Sequence, residues 1–127
     1  MVIWKNDALF QTLFGTVAYD GFGACMELST DTHTLLVGAA GFNSGHGAVA
    51  VYRRSTTVDQ FRCHHTLKGE KAYESFGNTI AMIPNGLAVA VTAHNAIFGR
   101  DRSRSVYFYM RYTSNDEFDQ VGQVNGG

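Results

Sequence analysis

Tyr19-Asp20-Gly21-Phe22-Gly23 recurs 54 residues later as Tyr73-Glu74-Ser75-Phe76-Gly77, and this recurrence is the strongest pattern in the sequence. The same offset relates further apolar and turn-forming residues: Leu13 and Leu67, Gly15 and Gly69, Leu28 and Met82, Asp31 and Asn85, Val37 and Val91, Ala39 and Ala93, and Leu67 and Val121. Self-similarity at a period of about 50 residues is typical of repeat architectures. The sequence therefore predicts two consecutive copies of one structural unit.

Each copy is predicted to form four short antiparallel strands, since runs of apolar and alternating residues lie between clusters of turn residues. Asn85-Gly86 is a strong hairpin signal, because both residues tolerate positive φ. The small apolar residues of each second strand predict a strand that is buried on both faces. The connection after the second strand, 94–105, is three residues longer in the second copy. The predicted strands are 24–28, 35–39, 48–52 and 61–67, followed by 78–82, 88–93, 106–111 and 118–121.

The first residues fit the same scheme, with strands at 2–4 and 9–13 that correspond to the last two strands of a copy. Four strands in a period of about 50 residues are typical of a β-propeller blade. A blade cannot bury both faces alone, so blades must stack. We therefore predict an all-β fold of about two and a half four-stranded propeller blades in an incomplete ring. The single repeat region 1–127 divides into a partial blade, 1–18, and two blades, 19–72 and 73–127.

The repeat-defining positions are Phe22, Gly23, Gly38, Ala39 and Tyr52 in the first copy, and Phe76, Gly77 and Tyr109 in the second. They resemble FG-GAP repeats, the blade motif of the integrin α-subunit head and related propellers. That family has Phe-Gly before the first strand, Gly-Ala-Pro after the second and a Gly-X-Val-Tyr-X-Tyr-like third strand. Ala40 replaces the proline in the first copy, and Thr92-Ala93-His94 stands in its place in the second. The resemblance implies a structural or protein-interaction module.

Many blades of that family carry a calcium loop, Asp-X-Asp-X-Asp-Gly, between the first two strands. The corresponding positions of the first copy are Met26, Leu28, Thr30 and Thr34, and Asp31 lies out of register. The second copy has Asn85-Gly86 and no carboxylate in that turn. Calcium takes about six to eight oxygen ligands, largely from carboxylates. We therefore expect no calcium in either complete blade, and no cofactor.

Composition excludes several classes of protein. Lys and Arg number 10 and Asp and Glu number 11, which argues against nucleic acid, whose binders carry a basic face. No segment reaches the roughly 18 apolar residues of a membrane span. The first residues lack the basic and apolar regions of a signal peptide. The compartment is left open, as is the state of Cys25 and Cys63, which could pair but are expected to be buried free thiols.

Two segments are candidates for chemistry or binding. Cys63-His64-His65 could suggest a metal, but adjacent strand residues are expected to point to opposite faces, so only Cys63 and His65 could share one. A zinc site needs three or four converging ligands, so we expect no metal there. The inserted connection combines arginines with exposed apolar residues, a composition typical of contact hot spots. Recognisable catalytic motifs are absent from the sequence, so we expect no enzyme. The predicted partner-binding residues are Ile97, Phe98, Arg100, Arg102 and Arg104.

Open blade edges invite association. We therefore expect other protein chains, in a homo- or hetero-oligomer, to complete the propeller within a larger assembly. The alternative is a lectin-like propeller, because some lectins are built from similar repeats. Sugar sites need stacked aromatic rings with polar groups at the blade junctions, and Trp4 is the only tryptophan. The role as a structural or protein-interaction module is therefore favoured over carbohydrate binding.

Overall fold

The strands among the described residues form three separate antiparallel sheets. The computed structural model describes residues 2–5, 8–15, 20–71, 73–94 and 104–126. Strands β1 (Val2–Lys5) and β2 (Ala8–Thr12) form the N-terminal hairpin. The first sheet consists of β3 (Cys25–Leu28), β4 (Thr34–Ala39), β5 (Ala48–Arg53) and β6 (Arg62–Lys68). The second consists of β7 (Thr79–Met82), β8 (Ala88–His94), β9 (Arg104–Met110) and β10 (Asp119–Gly126).

Each four-stranded sheet is a meander in which consecutive strands are neighbours. This confirms the all-β class and the antiparallel four-stranded units, and none of the three sheets closes on itself. The one helical segment within the described ranges, α1 (Phe42–Gly45), is a turn rather than a helix. Its Asn43 and Ser44 have φ of 51° and 55°, which is left-handed backbone.

A β-bulge occurs at the same place in all three sheets, between the last two strands. The extra residue is Phe10 in the hairpin, His64 in the first sheet and Val121 in the second. A bulge bends the strand and strengthens its local twist. The bulge of the hairpin thus has the position that the bulge has between the last two strands of each four-stranded sheet.

The register corrects one predicted equivalence. Leu67 pairs with Val49 across β5 and β6, and Val124 pairs with Val106 across β9 and β10. The counterpart of Leu67 is therefore Val124, and the prediction of Val121 was wrong. The connection after β8 is longer by three residues, so every position beyond it is offset by 57 rather than 54.

The Phe-Gly turns have the same geometry in both sheets. Gly23 and Gly77 have φ of 92° and 95°, which glycine adopts without steric cost. Gly23 N–H donates to Gly38 O, and Gly77 N–H donates to Thr92 O, each at 3.1 Å. A Cβ on Gly38 would lie 2.5 Å from Gly77 O, so this position requires glycine where the second sheet approaches the first.

Two hydrophobic clusters hold the sheets together. The hairpin junction, between the N-terminal hairpin and the first sheet, buries Leu13, Leu35, Val37, Tyr52 and Phe61. The sheet junction, between the first and second sheets, is larger. Its buried residues are Leu36, Val49, Val51, Leu67, Phe76, Ile80, Val89, Val91, Ala93, Tyr107, Tyr109 and Phe118. The first sheet thus contributes buried residues from both of its faces, chiefly through β4 and β5.

The second strands of the two sheets differ in burial. Every residue of β4 is buried, as predicted, but only alternate residues of β8 are. The prediction of burial on both faces was therefore wrong for β8. The reason is that β4 lies between two junctions, whereas the second sheet is packed on one face only among the described residues.

Candidate functional site

The face of the second sheet that points away from the first, here called the outer face, is apolar. Phe108 and Met110 of β9 are exposed on it, next to Ala81 and Ile83 from the region of β7. Together with Ala88, Ala90 and Val121, these side chains line a shallow cavity of about 490 Å³. Contiguous exposed apolar surface on a folded protein often marks an interaction site.

The outer face repeats the positions that are buried at the sheet junction. Leu36 and Val49 of the first sheet correspond to Ala90 and Val106 of the second, by the registers of β4 with β5 and of β8 with β9. Val51 corresponds in the same way to Phe108. Leu67 is 7% exposed, whereas its counterpart Val124 is 57% exposed. The two faces thus carry the same apolar pattern, and only one of them is covered.

A second uncovered surface lies on β3. Met26 is 56% exposed and Leu28 is 47% exposed, whereas Ile80, the counterpart of Met26, is 6% exposed. Met82, the counterpart of Leu28, packs partly buried against the core. The difference arises because β7 packs on β3, while the described residues place no strand on the other side of β3. Apolar surface is therefore open on both sides of the stack.

The arginine-rich connection can be placed only in part. Arg104 is exposed and belongs to β9, where it pairs with His94 and with Gly126. The strands thus extend further than predicted, and the connection starts after His94. The other predicted partner-binding residues, Ile97, Phe98, Arg100 and Arg102, lie outside the described residues.

The Cys63-His64-His65 segment differs from its prediction. Because His64 is the extra residue of the bulge, the regular alternation of side chains is broken there. The two Nδ1 atoms of His64 and His65 lie 2.6 Å apart, so the expectation that these rings point to opposite faces was wrong. His65 Nε2 also accepts a hydrogen bond of 3.1 Å from Phe118 N–H in the second sheet. These contacts define a neutral His65 that carries its proton on Nδ1 and donates to His64.

The surroundings lower the pKa of His65 to about 4. Burial is the main cause, since it disfavours the charged imidazolium, and the neighbouring His64 adds to the effect. No group of three or more His, Cys, Asp or Glu side chains that could hold a metal occurs within the described ranges. Both cysteines are free, but Cys25 is half-buried and Cys63 is exposed, which corrects the expectation of two buried thiols.

The turns between the first two strands of each sheet are stabilised by their own side chains. Asp31 Oδ1 accepts from Ser29 Oγ and from His33 N–H, and these hydrogen bonds hold the pKa of Asp31 below its usual value. Asn85 Oδ1 accepts from Leu87 N–H in the equivalent way. The side chains of these turns therefore satisfy backbone donors, which is a structural role common for Asp and Asn.

A buried polar pair lies at the sheet junction. Tyr107 Oη donates a hydrogen bond of 2.6 Å to Glu74 Oε1. Burial, and next to it this hydrogen bond with the Glu74 carboxylate, raise the pKa of Tyr107. Arg111 is also buried and donates to Gly86 O and, across the junction, to Thr34 Oγ1. These hydrogen bonds give the otherwise apolar sheet junction polar contacts of defined geometry.

Comparisons with protein-family models and with curated proteins give no match to this chain. Among the described residues, no helix is long and apolar enough to cross a membrane.

Proposed function

We propose that this chain is a non-enzymatic structural and protein-interaction module, a partial FG-GAP-type propeller that neighbouring polypeptide completes within a larger assembly. Its two four-stranded meanders stack face to face, with the Phe76-Gly77 turn between them. This arrangement supports an interpretation of each sheet as a propeller blade, with the hairpin as part of a third.

The observation that carries the proposal is the apolar pattern of the outer face. At the sheet junction the pattern of Leu36, Val49, Val51 and Leu67 receives a second sheet. The outer face offers Ala90, Val106, Phe108 and Val124 at the same positions. An equivalent sheet from another chain would therefore bury these side chains, with each fully buried aliphatic side chain contributing roughly 1.5–3 kcal/mol.

The native mass of the purified chain tests the proposal, measured by light scattering on a sizing column over a range of concentrations. We expect a discrete multimer that Val124→Lys dissociates, because a charge in an apolar interface cannot be solvated. Val58→Lys is the matched control: Val58 is 66% exposed, close to the exposure of Val124, but lies in the turn between β5 and β6.

A monodisperse monomer at high concentration would contradict self-assembly and direct the search to a hetero-oligomeric partner. A monomer that also binds glycans with an affinity unaffected by Val124→Lys would favour the lectin-like alternative.

A further inference from the structure

A cavity of about 270 Å³ lies at the hairpin junction. It is lined by Asp20, Phe22, Ala39, Ala48, Ala50 and Tyr52, and it reaches the exposed side chains of Thr66 and Lys68. The cavity is therefore partly enclosed and has a route to solvent. An engineered apolar cavity of about 150 Å³ is large enough to bind benzene, so this one can hold a substituted aromatic ring.

The corresponding space at the sheet junction is filled by a side chain of the protein. Ala50 pairs with Val37 in the first sheet, and Tyr107 pairs with Val91 in the second, so Ala50 and Tyr107 are counterparts. Tyr107 is buried there, with its ring centroid 5.4 Å from that of Phe76 in an edge-to-face arrangement. The change from tyrosine to alanine therefore removes a phenol ring from the hairpin junction.

The aromatic surroundings of the missing ring are retained. The rings of Phe22 and Tyr52 are 6.4 Å apart at an interplanar angle of 73°. Their counterparts Phe76 and Tyr109 are 6.1 Å apart at 74°. The aromatic pair beside the cavity thus has the geometry of the pair whose Phe76 ring packs against Tyr107.

The hairpin junction also retains a carboxylate at the position that accepts the tyrosine hydroxyl in the sheet junction. Asp20 is the counterpart of Glu74, and each is only 6% exposed. Asp20 Oδ1 accepts a hydrogen bond of 2.9 Å from Phe22 N–H, and no hydroxyl donates to this carboxylate from the described residues. Glu74 at the other junction receives the hydroxyl of Tyr107. A buried carboxylate at the wall of an apolar cavity favours a ligand that carries a hydrogen-bond donor.

We propose that this cavity binds a small phenol, whose ring takes the place of the Tyr107 side chain and whose hydroxyl donates to Asp20. Every described residue that lines the cavity belongs to this chain, so the purified chain can be tested by itself. An edge-to-face contact with Phe22 holds the ring, as Phe76 holds Tyr107, and Tyr52 lies beside it in the cavity wall. The bond from hydroxyl to carboxylate is charge-assisted, and it selects a phenol over a plain aromatic hydrocarbon.

The test is a titration of the purified chain with p-cresol, which has the structure of a tyrosine side chain, followed by heteronuclear NMR. Toluene has the same shape without the hydroxyl and serves as the matched ligand. We expect saturable shifts at residues around Ala50 and Phe22, with p-cresol binding about tenfold more tightly than toluene, since one charge-assisted hydrogen bond is worth about 1.4 kcal/mol or more.

Two substitutions separate filling of the cavity from recognition by the carboxylate. Ala50→Tyr supplies the ring covalently and should abolish p-cresol binding, and Ala50→Phe does the same without a hydroxyl should the tyrosine variant fail to fold. Asp20→Asn retains an acceptor for Phe22 N–H but loses the charge, so the preference for p-cresol over toluene should fall about tenfold. Val58→Tyr places an additional tyrosine on an exposed turn and should leave binding unchanged.

The proposal is overturned if p-cresol shows no saturable binding to the wild-type chain. It is likewise overturned if the folded Ala50 variants still bind p-cresol, or if toluene binds the wild-type chain as tightly as p-cresol does.

Discussion

The two junctions of this protein use the same positions and fill them differently. Phe76 is almost completely buried at the sheet junction, whereas its counterpart Phe22 is only half-buried at the hairpin junction. Tyr107 fills a space that Ala50 leaves open. The repeat thus determines where the sheets meet, and a few side chains decide whether a junction is fully packed or contains a cavity.

The polar contacts across the two junctions also come from equivalent positions that carry different side chains. The Gln11 side chain donates to Phe61 O and accepts from Phe61 N–H, each at 2.8 Å. His65, the counterpart of Gln11, accepts from Phe118 N–H alone among the described contacts. An amide binds both groups of the backbone and carries no charge, whereas an imidazole binds one group and titrates. The sheet junction should therefore respond to pH through this position, and the hairpin junction should not.

The largest expected difference between the junctions concerns their phenylalanines. Phe76→Ala should lower the free energy of unfolding by about 3–5 kcal/mol, because it opens a cavity beneath Tyr107 and Tyr109. Phe22→Ala should cost about half as much, since the ring is partly solvated and adjoins an existing cavity. Urea denaturation of the two variants measures both values. Equal losses would show that the junctions are energetically equivalent despite their different burial.

The second comparison is between two arginines, Arg111 and Arg54, whose guanidinium groups stack on phenylalanine rings. The guanidinium carbon of Arg111 lies 4.2 Å from the centroid of Phe118, and that of Arg54 lies 4.3 Å from the centroid of Phe61. Arg111 also donates across the sheet junction to Thr34 Oγ1.

Arg111→Ala should therefore cost about 2–4 kcal/mol, because it leaves buried acceptors unpaired. Arg54→Ala, at a more exposed site, should cost about 1 kcal/mol. Thermal and urea denaturation check the ranking, with Arg111→Lys as the control that retains charge but loses the planar fork. The ranking is refuted if Arg54→Ala proves the more damaging change.

The third prediction concerns the hydroxyl that the hairpin junction lacks. Tyr107→Phe should cost about 1–3 kcal/mol, because it leaves the Glu74 carboxylate buried without the donor seen at Oε1. Adding Glu74→Leu to this variant should recover most of the loss, since both polar partners are then removed. A double-mutant cycle by urea denaturation gives the coupling between the two side chains. Additive losses would contradict the importance of this hydrogen bond.

The fourth prediction concerns the pH dependence of the sheet junction. The pKa of His65 is about 4 in the folded chain and about 6.5 when unfolded, so the unfolded chain binds more protons between these values. The contribution of His65 to the free energy of unfolding is thus fully present above about pH 6.5 and is lost as the pH falls towards 4.

His65→Gln, which installs the residue found at the hairpin junction, should remove this part of the pH dependence. Urea midpoints measured from pH 4 to pH 7.5 provide the readout, with His33→Gln, at a half-buried histidine in the turn between β3 and β4, as the control. A slope unchanged in His65→Gln would assign the pH dependence to other groups.

Local patterns predicted most of the secondary structure. The Asn85-Gly86 turn and the alternation around Tyr107 and Tyr109 depend on residues close in sequence, so strand order and approximate bounds could be derived without a structure. The bulge at His64 could not be, because a bulge is defined by the pairing of two strands. The equivalence of Leu67 with Val124 required the observed register for the same reason.

The sequence by itself determined that two four-stranded units and a preceding hairpin follow one another, because turns and strand periodicity are properties of short segments. Only the tertiary structure decided which apolar faces are covered, since the burial of Leu67 and the exposure of Val124 depend on a neighbouring sheet. The cavity beside Ala50 was likewise invisible in the sequence, where alanine in a strand is unremarkable. It becomes significant only because stacking places it where the next junction has a tyrosine.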